Sequence, residues 1–314
     1  MQKLILSVIM SNYNHAHYLP MALDAILSQS YHPKEVIVVD DASTDNSMEV
    51  LESYAAKYNI IRLIRNEKNL GAVVNVNRQL ESATGDYLYI AGADDKLLPG
   101  FFEKTMNLLT RHPQAGLCSG WSLRMNAHGE NMGLDYLSIV SKKPVYFSPE
   151  QFKATICKYN NWIHSTATIY RRDALLAAGG FIPELHSYCD VFAGFVIALR
   201  HGACYIPEPL AAFRITDSNY RSIFERQPEI LFEVKECVNR LINSSHAGLF
   251  PDEFIEEIER VAIYNYNRIL HSENILSKIY FFLHSGRKIY YPFLRKCLKF
   301  SHPVVTRKCR QVKI

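Results

Sequence analysis

The chain has 314 residues, 48% of them hydrophobic, and a formal net charge of +4. That apolar share supports a sizeable core in one large domain or one domain with an appendage, and the weak charge argues against a nucleic-acid partner. Seven cysteines, odd in number and without a Cys-x-x-Cys pair, indicate reduced thiols in a cytosol and exclude a disulfide frame or zinc site. No stretch is long and apolar enough to span a bilayer. The N-terminal apolar run leads straight into Ser-Asn-Tyr-Asn-His without a small-residue cleavage pattern, so it reads as a core strand.

Strand and helix patterns alternate from the start. Leu4–Met10 reads as a strand, and Leu19, Leu23, Ile26 and Leu27 give Tyr18–Ser28 helical spacing. Glu35–Asp40 is a β-branched run of the kind buried on both faces of a parallel sheet. Ser43 and Asp45 suit the N-cap of a helix over Ser47–Tyr58. Strand Ile60–Arg65, a helix from Gly71 to Ser82 and strand Tyr87–Ala91 follow. This order argues a parallel, right-handed α/β layer.

Beyond Pro99 the pattern loosens. A helix is expected to Arg111 and a strand at Gly116–Leu123, with Asn126–Lys143 as loop. Thr166–Tyr170 reads as a strand, Asp173–Ala178 as a short helix ended by Gly179-Gly180, and Asp190–His201 as a helix. Extended pieces follow at Cys204–Ile206 and Ala211–Ile215. From Asn219 the patterns are helical only. No acid follows Glu273, while Lys278, Arg287 and Lys288 interleave with Tyr280, Phe281 and Tyr290. Such a tail suits an anionic membrane surface, packing on the main domain with its charges in solvent, or nucleic acid.

Three polar constellations fall where strands end: Ser11-Asn-Tyr-Asn14, Asp40-Asp41-Ala-Ser-Thr-Asp45, and Asp94-Asp95. Open α/β sheets bind ligands at the carboxyl ends of their strands. Two adjacent acids there repel unless a cation or proton sits between them. An oxygen-only site suits Mg²⁺ or Mn²⁺ holding a phosphorylated ligand better than zinc. Turn chemistry explains any one cluster, but three in register on successive strand ends point to a nucleotide-diphosphate site. Neither a Walker loop nor a Gly-x-Gly-x-x-Gly turn is present, which counts against a P-loop kinase or an NAD enzyme.

Ser7-Val-Ile-Met-Ser-Asn-Tyr-Asn14, Gln29-Ser-Tyr, Glu35-Val-Ile-Val-Val-Asp-Asp-Ala-Ser-Thr-Asp45, Asn69-Leu-Gly71, Gly85-Asp-Tyr and Ala93-Asp-Asp-Lys-Leu-Leu-Pro-Gly100 resemble glycosyltransferase family 2 in order and spacing. The resemblance continues more weakly to about residue 215. It implies a GT-A fold: a Rossmann-like, mostly parallel central sheet flanked by helices, over residues 1–215, with a helical, basic C-terminal extension over 216–314. It also implies metal-dependent, inverting sugar transfer from a nucleotide-diphosphate sugar, UDP-linked by expectation, to a glycan or lipid-linked acceptor in surface polysaccharide synthesis. A cytoplasmic protein, peripheral on the inner face of the cell membrane, would fit that role.

Position by position, the resemblance puts Ser11 and Tyr13 in the nucleoside pocket, Asp41 on a base N–H with Asp40 close by, and Asp94 on Mn²⁺ or Mg²⁺ with Asp95 assisting. Asp190 falls where the family has its general base. Two departures stand out: Gly92 replaces the first acid of the usual Asp-x-Asp, and Cys189 replaces Glu before Asp190. Glu184 is the alternative base. His15, His17, Arg65 and Arg78 read as ordinary surface residues, Trp121 and Trp162 as core or wall, and His164 and His186 lie in stretches expected to face the acceptor. The rival readings are a sugar-phosphate nucleotidyltransferase, whose Gly-rich opening and lysine this chain lacks, and a nucleotide-sugar-binding protein with an impaired site.

Overall fold

The structure is a computed structural model that describes residues 4–135, 138–159, 161–216 and 228–255. All lie in the first of two compact units, Met1–Arg260. The basic aromatic tail lies outside the described residues.

β1 (Leu6–Asn12), β2 (Glu35–Asp40), β3 (Ile61–Arg65) and β4 (Tyr87–Gly92) pair in parallel in the order β3-β2-β1-β4. α1 (Leu19–Leu27), α2 (Ser47–Lys57) and α3 (Ala72–Ser82) connect them. The first three strands run outward from β1 to one side, and β4 then returns to the other. That reversal makes the crevice between β1 and β4 the ligand-binding switch point of an α/β sheet.

Successive side chains of a strand face opposite sides. Val8, Met10, Val36, Val38, Tyr87 and Tyr89 accordingly enter one buried cluster, and Ile9, Ile37 and Leu88 the other. The first cluster is closed by α1 and by α4 (Phe101–Arg111), which buries Phe101, Phe102, Met106, Leu108 and Leu109. Gln29 ties these two helices together. Its amide donates to Leu98 O at 3.1 Å and its Oε1 accepts from Phe102 N at 3.3 Å.

The sheet continues as a mixed one through β9 (Thr168–Arg171), β6 (Leu117–Met125), β10 (Ala203–Arg214) and β5 (Lys96–Leu97). β9 is antiparallel to both neighbours, and β6 and β10 are parallel to each other. The two extended pieces expected at Cys204–Ile206 and Ala211–Ile215 are one strand. Its register against β6 slips between Tyr205 and Ala211, where Pro207 and Pro209 lack the N–H that the ladder needs. β1 reaches two residues further than expected because Ser11 and Asn12 pair with Val39 and Asp40.

The segment expected as loop at 126–143 contains β7 (Asn131–Leu134), paired with β6. All four β7 residues are exposed, and its two apolar residues, Met132 and Leu134, alternate with Asn and Gly, which are depleted in strands. β8 (Val145–Phe147) and α5 (Pro149–Tyr159) follow. α6 (Arg172–Ala177) and α7 (Cys189–His201) complete the second face. α8 (Pro228–Asn243) and the turn after it contribute Val234, Cys237, Ile242, Phe250 and Phe254 to that same cluster.

Candidate active site

The strand ends at the switch point are in register: Asn12 opposite Asp40, and Ser11 opposite Gly92. The polar residues that end β1, β2 and β4 therefore lie along one edge. Asp40 turns inward, fully buried, where its carboxylate accepts from Asn12 Nδ2 at 2.8 Å and from Ser43 N–H at 3.0 Å. Ser43 does not cap α2. Its hydroxyl accepts from Asn12 Nδ2 and from Asn14 N–H, at 3.2 and 2.9 Å. Asp45 braces the first turn instead, with Oδ1 3.0 Å from Ser47 N.

Asp41 is also buried, yet differently bonded. Its Oδ1 accepts from Leu70 N–H and Asn66 Nδ2, and its Oδ2 from Gly71 N–H, each at 2.8 Å. Burial pushes this carboxyl upward, but the donors at Leu70, Asn66, Asn75 and Gly71 outweigh it and hold the pKa below the ordinary range. The charge sits at the N-terminus of α3, where the helix dipole favours it.

The network reaches β1. Asn66 Nδ2 donates to Asn75 Oδ1 at 2.8 Å, and Asn75 Nδ2 donates to the Ser11 hydroxyl at 3.2 Å. Just beyond, Tyr13 is 43% exposed, a ring ready for stacking. The left-handed Asn14 (φ 57°) locks its loop by accepting from Thr44 N–H at 2.8 Å.

The acid pair occupies the turn that carries the chain from β4 to the far edge of β10. Asp95 Oδ1 accepts from Arg214 N–H at 2.9 Å, and its Oδ2 accepts from the Thr166 hydroxyl at 3.4 Å. Burial, and then the neighbouring Asp94 charge, push Asp95 up to about 8, against the smaller opposing pull of Arg214 and Thr166. Arg214 itself is buried. Its Nε donates to Asp94 O at 2.9 Å, its Nη1 donates to Asn126 O and Ala127 O, and its guanidinium lies 4.1 Å from the centre of the Tyr18 ring. Among the described residues no cluster of three or more His, Cys, Asp or Glu could hold a metal alone. Two carboxylates still fit Mg²⁺ or Mn²⁺, which bind through one or two acids with substrate phosphates and water completing the shell.

Asp190 is half-buried in the first turn of α7, its Oδ1 accepting from Val191 N–H at 2.6 Å. Its charge acts on the Tyr170 hydroxyl, which burial first and Asp190 second raise far above the phenol range. Thr166, which contacts Asp95, lies four residues before Tyr170 along the same segment. Glu184 is exposed on the preceding turn. His164 is buried with Nε2 3.6 Å from Asp135, and His186, at φ 49° and ψ −124°, approaches Glu233 of α8 at 3.9 Å. Trp162 is core, against Phe152 and Tyr205, and Trp121 donates to the Tyr205 hydroxyl at 2.6 Å.

Asn66, Asn75, Thr166 and Arg214 were missed by sequence reasoning. An asparagine-rich stretch from 66 to 77 is the one local signal that could have flagged the first two.

The family model for glycosyl transferase family 2 matches residues 7–175, more than half of the chain. EpsE of Bacillus subtilis (strain 168) is 41% identical over 107 residues, which are 34% of this chain and 38% of EpsE. YibD of Escherichia coli K12, an uncharacterized glycosyltransferase, is 30% identical over 185 residues, 58% of this chain and 53% of YibD. Among solved structures, S. aureus TarS residues 1–349 in complex with UDP-GlcNAc aligns at TM-score 0.57 and 19% identity, covering 78% of this chain and 74% of that one. The mannosyltransferase PcManGT of Pyrobaculum calidifontis, in complex with GDP-Man and Mn²⁺, aligns at 0.58 and 18%, covering 95% and 84%. The sheet and its flanking helices are those of the GT-A fold, and the chain belongs to glycosyl transferase family 2.

Proposed function

We propose that this protein is a metal-dependent, inverting glycosyltransferase that takes its sugar from a nucleotide-diphosphate donor, UDP-linked by preference. The observation that carries the reading is the alignment of three strand ends, with Asn12 opposite Asp40 and Ser11 opposite Gly92. That register puts Tyr13, Asp41 and the acid pair just past the ends of β1, β2 and β4, along one edge of the sheet. TarS with UDP-GlcNAc and PcManGT with GDP-Man and Mn²⁺ are the similar proteins that support a nucleotide-sugar donor and a divalent cation.

In this reading Tyr13 stacks on the base and Asp41 takes a base N–H. Asp40 holds the loop from beneath. Asp94 and Asp95 would hold Mn²⁺ or Mg²⁺, and that ion, when bound, neutralises charge on the departing nucleotide diphosphate. Asp190 takes the proton from an acceptor hydroxyl as its oxygen attacks the anomeric carbon. One displacement inverts the configuration, without a carboxylate nucleophile. The acceptor class we assign is a growing glycan or lipid-linked sugar. The sequence feature behind that choice is the basic aromatic tail, which suits peripheral contact with an anionic membrane. Among the described residues no helix is long and apolar enough to cross one.

A thermal-shift panel of nucleotide diphosphates and their sugars, with and without Mn²⁺, tests this. Stabilisation by UDP or a UDP-sugar that requires metal and disappears in Asp94→Ala is expected, because a ligand of the native state raises its melting temperature. No shift with any nucleotide at millimolar ligand and metal would overturn the proposal. Metal-dependent binding without turnover on any acceptor would favour the impaired-site reading.

A further inference from the structure

His186 stands four residues before Asp190, in the turn that leads into α7. Its backbone, at φ 49° and ψ −124°, lies in a region that glycine enters freely and residues with a Cβ avoid. Burial on both sides holds it there. Leu185 and Cys189 both enter the same buried cluster as α7, so the chain must turn within the three residues between them. The turn also aims the His186 carbonyl at Cys189 N–H, a donor in the first turn of α7 that the helix itself leaves unmatched. Strain of this kind persists where the surroundings over-determine it, and it gathers at functional sites. The chain meets positive φ with glycine at 179 and 180, yet with histidine at 186. Glycine would fit without strain, which leaves the imidazole itself to account for. Its Nε2 lies 3.9 Å from Glu233 Oε2 on α8. α8 packs on the same turn and buries Val234 and Cys237 in the cluster that holds Leu185 and Cys189. It lies beyond residues 7–175, which the family model matches.

We propose that His186 is a positioning residue: its imidazole ties the turn that leads into Asp190 to Glu233, so that α8 sets where the base stands against the acceptor. The inference rests on the reading of Asp190 as the general base. It goes further in making a helix outside the matched segment part of the acceptor side, while the nucleotide side at the strand ends stays independent of it. Loosening the tie therefore slows proton removal and spares donor binding.

The test uses the full-length protein and two readouts: amide hydrogen exchange over residues 186–191, and nucleoside diphosphate release from UDP- and GDP-sugars with water as acceptor. His186→Ala should speed exchange and lower the release rate about tenfold, within the roughly hundredfold cost of a misplaced reacting group. His186→Gly should do the same without a lower melting temperature, because glycine relieves the strain. A merely structural residue would lose activity only along with stability. Glu233→Gln should cost about threefold in rate, the scale of a partly exposed charge pair, and nothing further once His186 is alanine. His186→Gln, which places an amide N–H near the Nε2 position, should recover most of the rate. Stabilisation by UDP with Mn²⁺ should be unchanged in all of these variants. Wild-type exchange and rate in His186→Ala, or independent losses from His186 and Glu233, would overturn the positioning role while Asp190→Asn still abolishes release. Full release in Asp190→Asn would overturn the base reading and the positioning role with it. So would wild-type protein that releases no diphosphate from any donor.

Discussion

The side-chain amide of Asn77 pairs with both backbone polar groups of Phe181. Nδ2 donates to Phe181 O at 2.7 Å, and Oδ1 accepts from Phe181 N–H at 2.9 Å. The two residues are 104 apart in sequence. The contact fastens α3, whose N-terminus bonds Asp41, to the chain that leads into Asp190. Gly180 permits it: its φ is +68°, and a Cβ there would lie 2.6 Å from Asn77 Oδ1. Asn77→Ala leaves two buried backbone groups without their partner, so it should cost about 2 kcal/mol in urea unfolding. It should lower kcat more than it raises KM for the donor, since the nucleotide contacts remain.

Asp41→Asn tests the carboxylate that receives Leu70, Gly71 and Asn66. An amide presents one acceptor atom where the carboxylate presents two, and it turns an NH₂ toward a backbone donor. A loss of about 2–4 kcal/mol is expected from the stranded donors, with donor affinity falling as well. The wild-type contribution is present above the ordinary aspartate range and lost as pH falls through the lowered pKa of Asp41. Unfolding free energies of the two proteins should therefore converge at acid pH.

Ala42 has φ 61°, in the left-handed region that L residues other than Asn and Asp rarely occupy. Ala42→Gly should raise stability by about 1 kcal/mol, measured as an increase in the urea midpoint at unchanged slope. A decrease would mean that the methyl group packs better than the backbone strain costs.

Metal-free stability should fall as pH rises from about 4 to about 8. Asp95 is raised to about 8 by burial and then by Asp94, so across that window the folded chain holds a proton that the unfolded chain has released. Calorimetric melting temperatures of chelator-treated protein should decline toward pH 8, and Asp95→Asn should flatten the decline. Added Mn²⁺ should oppose it, since binding displaces the proton.

Asp190→Asn should lower kcat by about 10²–10⁴, the scale of general-base catalysis. Metal-dependent stabilisation by UDP should survive, because Asp190 lies on α7 and not at the strand ends proposed to bind the nucleotide. An equal loss in Glu184→Gln with Asp190→Asn active would transfer the role to Glu184.

Much of this molecule is written locally. The β-branched run of β2 and the apolar alternation in β1 and β4 specify buried parallel strands, and the acids that interrupt them mark where those strands must surface, because an unpaired carboxylate is too costly to keep inside. The places of Asp41 and Asp94 just past the ends of β2 and β4 were legible for that reason. β7 was not, since its short alternation of Met132 and Leu134 runs through Asn and Gly, which are turn formers depleted in strands. Nor was the inward turn of Asp40, which depends on donors from Asn12 and Ser43 on different loops. The partners of the acid pair come from Thr166 and Arg214, 71 and 119 residues beyond Asp95. Nothing in their neighbourhoods announces such contacts, because they exist only once the chain after β4 has crossed to the far side of β10. Sequence alone determined which residues must reach the strand ends, through periodicity and the cost of burying charge. Tertiary structure decided what holds them there, because sheet order, not chain order, sets which hydrogen-bond donors arrive.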